Sequence, residues 1–506
     1  MITPAFFGFY TSHRALLATQ MALNTVNHNI SNSNTPGYSR QRLNLEAFDA
    51  YASPVQLGQD LRSGQVGQGV QVVDIKRIRD AFIDIQYRAE SGIQGYNASF
   101  RDALQQLEGI AAEPSKSAIN GSIQKFFDAA QELSINPQSQ AVRADFIQHA
   151  VDILTVFQQE ANQLATLQRN MVGDPAVPGS FTTSQLAINV TEVNNKLAEL
   201  ARYNQEILTV KASGASPNDL LDKRDNTLDA LSKLVDITTQ ETSNGQMAVS
   251  IAGQLMVRGG TVLDTLQVVA NAGPIPDPEN EPSLVRTAVS GVDILNAPVN
   301  AVQYGGIKGI VDAAGRSATQ STVRGMLEDI DNLLDTLASQ VNALQTTGRD
   351  LNGNVQAGEP LFNLTAGAGL NIFRYRVNPN IIQDPSLVAA AEGPPNPFLG
   401  AGDGSNALAM AQLRDGAYAA LGNTSFVEFY NGVVSSLGID ARTFENRNDS
   451  QDSVVKALDQ RRQSVSGVNE SEELSDLIRF QRAFEASSKT MQVFNEVTQT
   501  ILNMVN

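Results

Sequence analysis

The side chains able to do chemistry are few and scattered. The three histidines, His13, His28 and His149, stand alone, with no second ligand at metal spacing. A packed or edge imidazole accounts for each. No cysteine occurs, which removes disulfides, thiolate zinc sites and cysteine nucleophiles together. Asp350-Leu351-Asn352-Gly353-Asn354 has the outline of a calcium loop. Its glycine comes early, however, and no glutamate stands at the twelfth position, so it reads as a turn. Gly64, Gly67 and Gly69 miss the Gly-x-Gly-x-x-Gly pattern and precede a strand-like run instead of a helix, which argues against phosphate binding. Lys76, Arg77 and Arg79 read as a solvated strand end. Asp219, Asp222, Asp225 and Asp229 alternate with Lys223 and Arg224, as in an exposed helix laced with ion pairs. No His-Glu-x-x-His or Gly-x-Ser-x-Gly motif appears. These patterns predict no catalytic site, no metal and no cofactor.

The elements that carry these residues must then serve another purpose. With 506 residues and a hydrophobic fraction of 42%, the chain can build two or three cores. Its 36 Lys and Arg against 53 Asp and Glu give a net charge of -17, which repels nucleic-acid phosphate. No run reaches the roughly 20 apolar residues of a membrane span, so no membrane insertion is expected. Met1 to Tyr10 is apolar but lacks a basic n-region and is cut short by Thr11, Ser12 and His13. It is not expected to be a secretory signal peptide.

The two ends carry the clearest periodicity. Thr3-Pro4 reads as a helix start. Phe9, Leu16, Leu23 and Ile30 follow at intervals of seven, with Ser12, Thr19 and Val26 three residues after the first three. That is a heptad seam weakened by small polar residues. The helix ends in Asn29-Ile30-Ser31-Asn32-Ser33-Asn34, and Thr35-Pro36-Gly37-Tyr38 has the proline and glycine placement of a type II turn. At the other end, Asn469 with Glu472 marks a helix start. Leu477, Phe480, Phe484, Ser487, Met491, Phe494, Thr498, Ile501 and Val505 then alternate steps of three and four. From Met1 to Ser39 the only residue among Asp, Glu, Lys and Arg is Arg14, a composition suited to packing on several sides without stranding an ion. Phe9, Leu16, Leu23, Ile30, Leu477, Phe480, Phe484, Met491, Phe494 and Ile501 are therefore the candidate assembly interface.

Between the ends, Val142, Phe146, Ile153, Phe157, Leu164 and Leu167 share one helix face, and Leu186, Val190, Val193, Leu197, Leu200 and Ile207 another. Breaks at Gly173-Asp174-Pro175 and Pro178-Gly179 suggest that the two form an antiparallel hairpin. A third stripe runs Val323, Leu327, Ile330, Leu334, Leu337, Val341 and Leu344, and a further helix is expected from about Ser425 toward Arg462. From 236 to 315 short β-rich runs replace the helices: Val235–Thr239, Met247–Ile251, Leu255–Val257 and Leu266–Ala270. Pro274, Pro276, Pro278 and Pro282 bracket a loop, and Leu370–Val377 reads as a strand outside that insert. The patterns predict a mainly α fold with a β-rich insertion. Its expected parts are a terminal coiled-coil domain of residues 1–35 with 469–506, a helical rod domain of 36–235 with 316–468, and an inserted β-rich outer domain of 236–315.

The run from His28 through Asn29, Thr35-Pro36-Gly37-Tyr38 and Ser39-Arg40 resembles the signature of the flagellar axial proteins, the rod, hook and hook-associated group. Its ending is similar to the hook-associated branch in particular; rod and hook proteins more often have a Gly-Phe version. Gly67-Gln68-Gly69-Val70 with the run to Arg79-Asp80-Ala81-Phe82, and Asn218 to Asp225, also resemble this group. So do Ser466-Gly467-Val468-Asn469, Glu472-Glu473 and Phe480-Gln481-Arg482-Ala483-Phe484. There are departures: His28 stands where the group usually has Asn, Ser31 and Ser33 replace alanines, and Gln345 sits where histidine is common.

The resemblance implies a structural subunit at the junction between hook and filament, extracellular, and exported through the flagellar type III apparatus without a cleaved signal. The lack of cysteine suits a chain exported as a thread. Its terminal helices would line the axial channel. Its partners would be the flagellar hook protein, a second hook–filament junction protein, copies of itself in a ring, and an export chaperone on the C-terminal helix. Within the group, a second junction protein or a hook subunit is the alternative, disfavoured by Ser466 to Asn469 and Asn218 to Asp225. From another class, a secreted enzyme or adhesin on a flagellar scaffold is possible. The absent metal and nucleophile motifs disfavour the enzyme and leave an adhesin open.

Overall fold

The computed structural model describes residues 7–49, 67–111, 119–174, 179–270, 283–296, 301–315, 319–367 and 369–505. Thr3-Pro4, Gly64, Pro175, Pro178 and the four loop prolines from 274 to 282 lie outside them. Helices dominate, with small antiparallel sheets, as the periodicities predict. The chain forms two compact units: Met1–Ser91, Asn194–Thr265 and Asp452–Asn506 make the first, Gly92–Val193 and Leu266–Gln451 the second.

The first unit opens with α1 (Phe7–Ser31), β1 (Gln41–Ala47) and β2 (Val70–Arg77), and α2 (Ala81–Ala111) begins in it. β1 and β2 pair antiparallel from Gln41↔Arg77 to Ala47↔Val70. In the second unit follow α3 (Ile119–Ile135), α4 (Gln140–Val172) and the short α5 (Ser180–Thr183), and α6 (Gln185–Ala212) starts there and ends in the first. The first unit continues with α7 (Asn218–Leu234) and strands β3 (Ile237–Glu241), β4 (Met247–Ile251), β5 (Gln254–Arg258) and β6 (Thr261–Val262). These four form one sheet in chain order. Met247, Val249 and Ile251 are its buried face, the alternation a one-sided strand requires.

In the second unit β7 (Leu266–Ala270) and β8 (Ser283–Thr287) make a hairpin, followed by α8 (Gly306–Ala314) and α9 (Val323–Thr347). Then come β9 (Phe362–Leu364), β10 (Tyr375–Val377), α10 (Pro379–Gln383) and α11 (Ser405–Gln412). α12 (Phe426–Ser466) starts in this unit and ends in the first, where α13 (Glu470–Val505) completes the chain. The stretch 236–315 thus contributes its four-stranded sheet to one unit and the β7–β8 hairpin to the other.

The second unit has an aromatic core. Phe126 packs on Phe146 with ring centroids 5.2 Å apart, and Phe100 stacks on Phe444 at 4.1 Å. Of the predicted α4 face, Phe146, Ile153, Phe157, Leu164 and Leu167 are buried. The helix starts where Ser139 Oγ accepts from the Val142 amide, a capping hydroxyl. α4 makes its closest helix approaches to α3 and α9, not to α6 as a hairpin reading suggests. The stripe of α9 is buried from Val323 to Val341.

One expected strand is corrected. Of Leu370–Val377 only Tyr375–Val377 is strand, and Asn371–Phe373 is a 3-10 turn. Asp331 accepts from the Ile372 amide at 2.6 Å and Asp335 from the Asn371 side chain at 2.9 Å, so two carboxylates of α9 bend a segment whose apolar content looks extended. Asp350 accepts from the amides of Asn352 and Asn354 at 2.8 and 2.7 Å, which makes the Asp350 segment an Asx-type turn.

Candidate assembly site at the paired chain ends

α1 and α13 form the closest helix pair of the chain, and they run antiparallel. Gly8 lies against the ring of Phe494, while Asn29 Nδ2 donates to Glu473 Oε2 at 3.0 Å. Gly8 and Asn29 are 21 positions apart on one helix, and Glu473 and Phe494 are 21 apart on the other. The register therefore holds over both contacts.

The buried face of α1 is made of Ser12, Ala18, Ala22, Thr25, Val26 and Asn29. Phe9, Leu16, Leu23 and Ile30 of the heptad ladder are half-buried, and Tyr10, Leu17 and Met21 are exposed. On α13, Leu477, Phe480, Phe484, Met491 and Phe494 are likewise half-buried, and the side chain of Ile501 lies outside the described residues. Small residues on α1 admit the bulky rings of α13, as close packing demands. The single charge of α1 turns onto the chain that follows: Arg14 donates to the Gln68 carbonyl at 3.0 Å and covers the Phe48 ring.

At the Asn29 end a polar cluster fixes this register. Asn29 Oδ1 accepts from the Gln41 amide at 3.0 Å and from Tyr38 Oη at 2.8 Å, and its Nδ2 also donates to the Gln41 carbonyl at 2.9 Å. His28 Nδ1 sits 2.9 Å from the same Tyr38 hydroxyl. Arg40 donates to Glu473 at 2.6 Å and to Glu472 at 2.8 Å. Tyr38 reaches Asn29 because the predicted type II turn forms. Gly37 has φ +75°, the Tyr38 amide donates to the Thr35 carbonyl at 3.1 Å, and Asn226 packs where a Cβ would stand. Burial, with Asp219, Asp222 and Glu473 nearby, pushes the Tyr38 hydroxyl well above its usual range, so it stays a donor. α13 starts on Asn469, whose Oδ1 accepts from the Ser471 amide at 3.0 Å.

A buried ion network continues from this cluster. Ser39 bonds Asp222 through its amide and its hydroxyl, at 3.0 and 2.7 Å. Arg77 bridges Asp222 and Asp225 at 2.6 and 2.9 Å, Arg79 holds Asp84 at 2.6 Å, and Arg88 holds Asp229 at 2.7 Å. Arg462, near the end of α12, also pairs with Asp229. Burial alone would raise the Asp225 carboxyl, but Arg79, Arg77, Arg224 and Arg88 outweigh it and hold it below the usual carboxylate range. The expected solvated strand end and exposed ion-laced helix are thus corrected. Only Lys76, Asp219 and Lys223 face water, while Asp222, Arg224, Asp225 and Asp229 are buried and Arg77 and Arg79 nearly so. The available signal was the spacing of Asp222, Asp225 and Asp229, which puts three acids on one helix face with arginines in equal supply on another segment. His13 is exposed, and His149 lies 3.7 Å from Asp145 and from Asp152 at a helix surface.

This arrangement positions no reacting group; it ties the first forty residues, β2, α7 and the last helix into one piece. Comparison with known proteins follows the same segments. The family model for the flagellar hook-associated protein FlgK helical domain matches residues 104–362. Those for the flagella basal body rod protein and the flagellar basal body rod FlgEFG protein C-terminal match 9–38 and 459–504. The chain is 29% identical to flagellar hook-associated protein 1 of Bacillus subtilis over 99% of each chain. It is 25% identical to that of Salmonella typhimurium over 97% of this chain and 98% of the relative. The flagellar hook junction protein FlgK from Burkholderia pseudomallei shares the fold, with a TM-score of 0.61 at 16% identity, covering 75% of this chain and all of that one.

Proposed function

The chain belongs to the family of the flagellar hook-associated protein FlgK, and on that premise we propose how its two ends serve the flagellum. It is a structural subunit of the bacterial flagellum at the junction between hook and filament. The single observation that carries the rest of the reading is the state of the terminal stripe: α1 and α13 pair, yet Phe480, Phe484, Met491 and Phe494 stay half-buried. A stripe that its own partner covers only in part has apolar area left for neighbours.

In the assembled tube residues 1–35 with 469–506 form the inner coiled-coil layer, 36–235 with 316–468 the helical wall around it, and 236–315 the outermost part. Copies stand in a ring on the hook protein and present a second junction protein with a surface to build on. The interface is formed by Phe9, Leu16, Leu23, Ile30, Leu477, Phe480, Phe484, Met491, Phe494 and Ile501. Before assembly the chain is exported unfolded through the type III apparatus without a cleaved signal, and a cytosolic chaperone covers the C-terminal helix. Deleting the gene leaves hooks without filaments and releases flagellin to the medium, which electron microscopy of the deletion strain tests. Normal filaments on that strain would refute the reading.

A further inference from the structure

The first unit carries both halves of a contact. Phe82 and Ile85, on the first turn of α2, are 63% and 61% exposed, although their neighbours Ile83 and Asp84 are buried. The pair is held rigidly. Asp80 Oδ1 accepts from the Phe82 amide at 2.9 Å, and Arg79 clamps Asp84 at 2.6 Å. An aromatic and a β-branched side chain fixed in water by a capped helix end and a buried ion pair lose little entropy on docking.

A groove of about 750 Å³ lies between α1, β1 and α13 in the same unit, with Val26, Leu45 and Phe480 among its apolar walls. Of its charged lining residues Arg40, Arg42, Lys76 and Arg479 are cationic and Glu473 and Asp476 anionic, a positive balance in a chain of net charge -17. Among the described residues no carboxylate lies within 4 Å of Arg42, whereas Arg40 is committed to Glu472 and Glu473. The charged groups beside the Phe82 knob complement this mouth: Asp80 is exposed and Glu90 half-buried, while Arg79 and Arg88 are turned into the ion network.

We propose that Phe82 and Ile85 of one copy seat in the groove of the next copy, with Asp80 toward its Arg42 and Lys76. This rests on the proposed ring of copies and deepens it. Knob and groove are different surfaces, so the contact is head-to-tail, and repetition of a head-to-tail contact generates a ring or a helix instead of a closed pair. The side chains bury apolar area that the single chain leaves in water, and the complementary charges set the register of encounter.

The chain has no cysteine, so introduced pairs report without background. Full-length Leu45→Cys/Phe82→Cys, expressed in cells lacking the natural gene, is oxidised in isolated hook–filament structures. A ladder of cross-linked multimers is expected, and neither single variant goes beyond a dimer. Phe82→Ala should retain the unfolding midpoint, because its side chain is exposed, and lower the copies held on washed hooks about tenfold. If the chain sits at the junction but the double variant gives no ladder, or joins a different flagellar protein, the contact is wrong. Full occupancy by Phe82→Ala also overturns it. Absence of the unmodified chain from hooks would instead overturn the junction reading, and this contact with it.

Discussion

Asn29 and Glu473, 444 residues apart in the chain, share a hydrogen bond of 3.0 Å, and Glu473 is the only fully buried side chain among those described on α13. Everything C-terminal to it on that helix is half-buried or exposed. The end of the molecule is thus anchored at one polar point and leaves its apolar stripe incompletely covered. Buried polar groups of this kind can specify register at some cost in stability. Here the Asn29 amide matches both the carbonyl and the amide of Gln41 while holding the carboxylate, which a shift by one helical turn would break.

Glu473→Gln should therefore lower the stability of the first unit by about 1.5–3 kcal/mol, the range for hydrogen bonds to charged groups. Glu470→Gln, which loses only an exposed bond to Ser33, should change it by less than about 0.5 kcal/mol. Urea midpoints at constant slope measure both. Equal effects of the two variants would show that the anchor lies elsewhere.

Two carboxyls give the chain opposite responses to pH. Asp225 is held below the usual carboxylate range by its four arginines against the pull of burial. It adds stability above about pH 4 that is lost as the pH falls through the folded value. Asp225→Asn should cost about 3–5 kcal/mol at neutral pH and flatten the acid limb of the stability curve. Asp329 behaves in reverse: burial, with Glu328 beside it, pushes its carboxyl up to about 6. Its contribution is present below the unfolded value and lost as the pH rises through about 6. Asp329→Asn should match the natural chain at pH 4 and exceed it at pH 7, read from thermal unfolding at both.

The sequence was legible where one periodicity decides the element. The α4 and α9 stripes, the strands β4 and β5, the type II turn at Gly37 and the Asn469 cap all follow from spacing and capping chemistry. It was less legible where a partner 200 or 400 residues away decides burial. The ladder Phe9, Leu16, Leu23, Ile30 is the more hydrophobic, yet Ser12 and Val26, on the weakened positions, are buried and the ladder is not. The aromatic side chains of α13 leave room only for small groups opposite them. In the same way Asp222, Asp225 and Asp229 read as a solvated face until Arg77, Arg79, Arg88 and Arg462 are brought to them.

Gly8 tests that small-residue rule. A Cβ there would run into the Phe494 ring. Gly8→Val should displace the ring, loosen the distal half of α13 and speed tryptic cleavage after the exposed Lys489. The midpoint of the second unit should stay unchanged. Time courses of limited proteolysis resolve the two rates; equal rates would mean that Phe494 does not depend on α1.

Phe484 separates the single chain from its assemblies. It lies on the α13 stripe and is half-buried, so Phe484→Ala removes less buried area from the single chain than a core truncation does. The full cost of such a truncation, about 3–5 kcal/mol, should appear only when neighbouring helices or the export chaperone cover the ring. Thr498 is the control. It shares the stripe, and its hydroxyl is already bonded to the Phe494 carbonyl at 2.7 Å, so Thr498→Ala removes little apolar area anywhere. Calorimetry with the chaperone and counts of the chain on isolated hooks should both fall for Phe484→Ala and hold for Thr498→Ala. The free chain should melt within a few degrees of the natural one in either case. If Phe484→Ala leaves chaperone binding and incorporation intact, the stripe is fully satisfied by α1, and the half-exposed rings have no second partner.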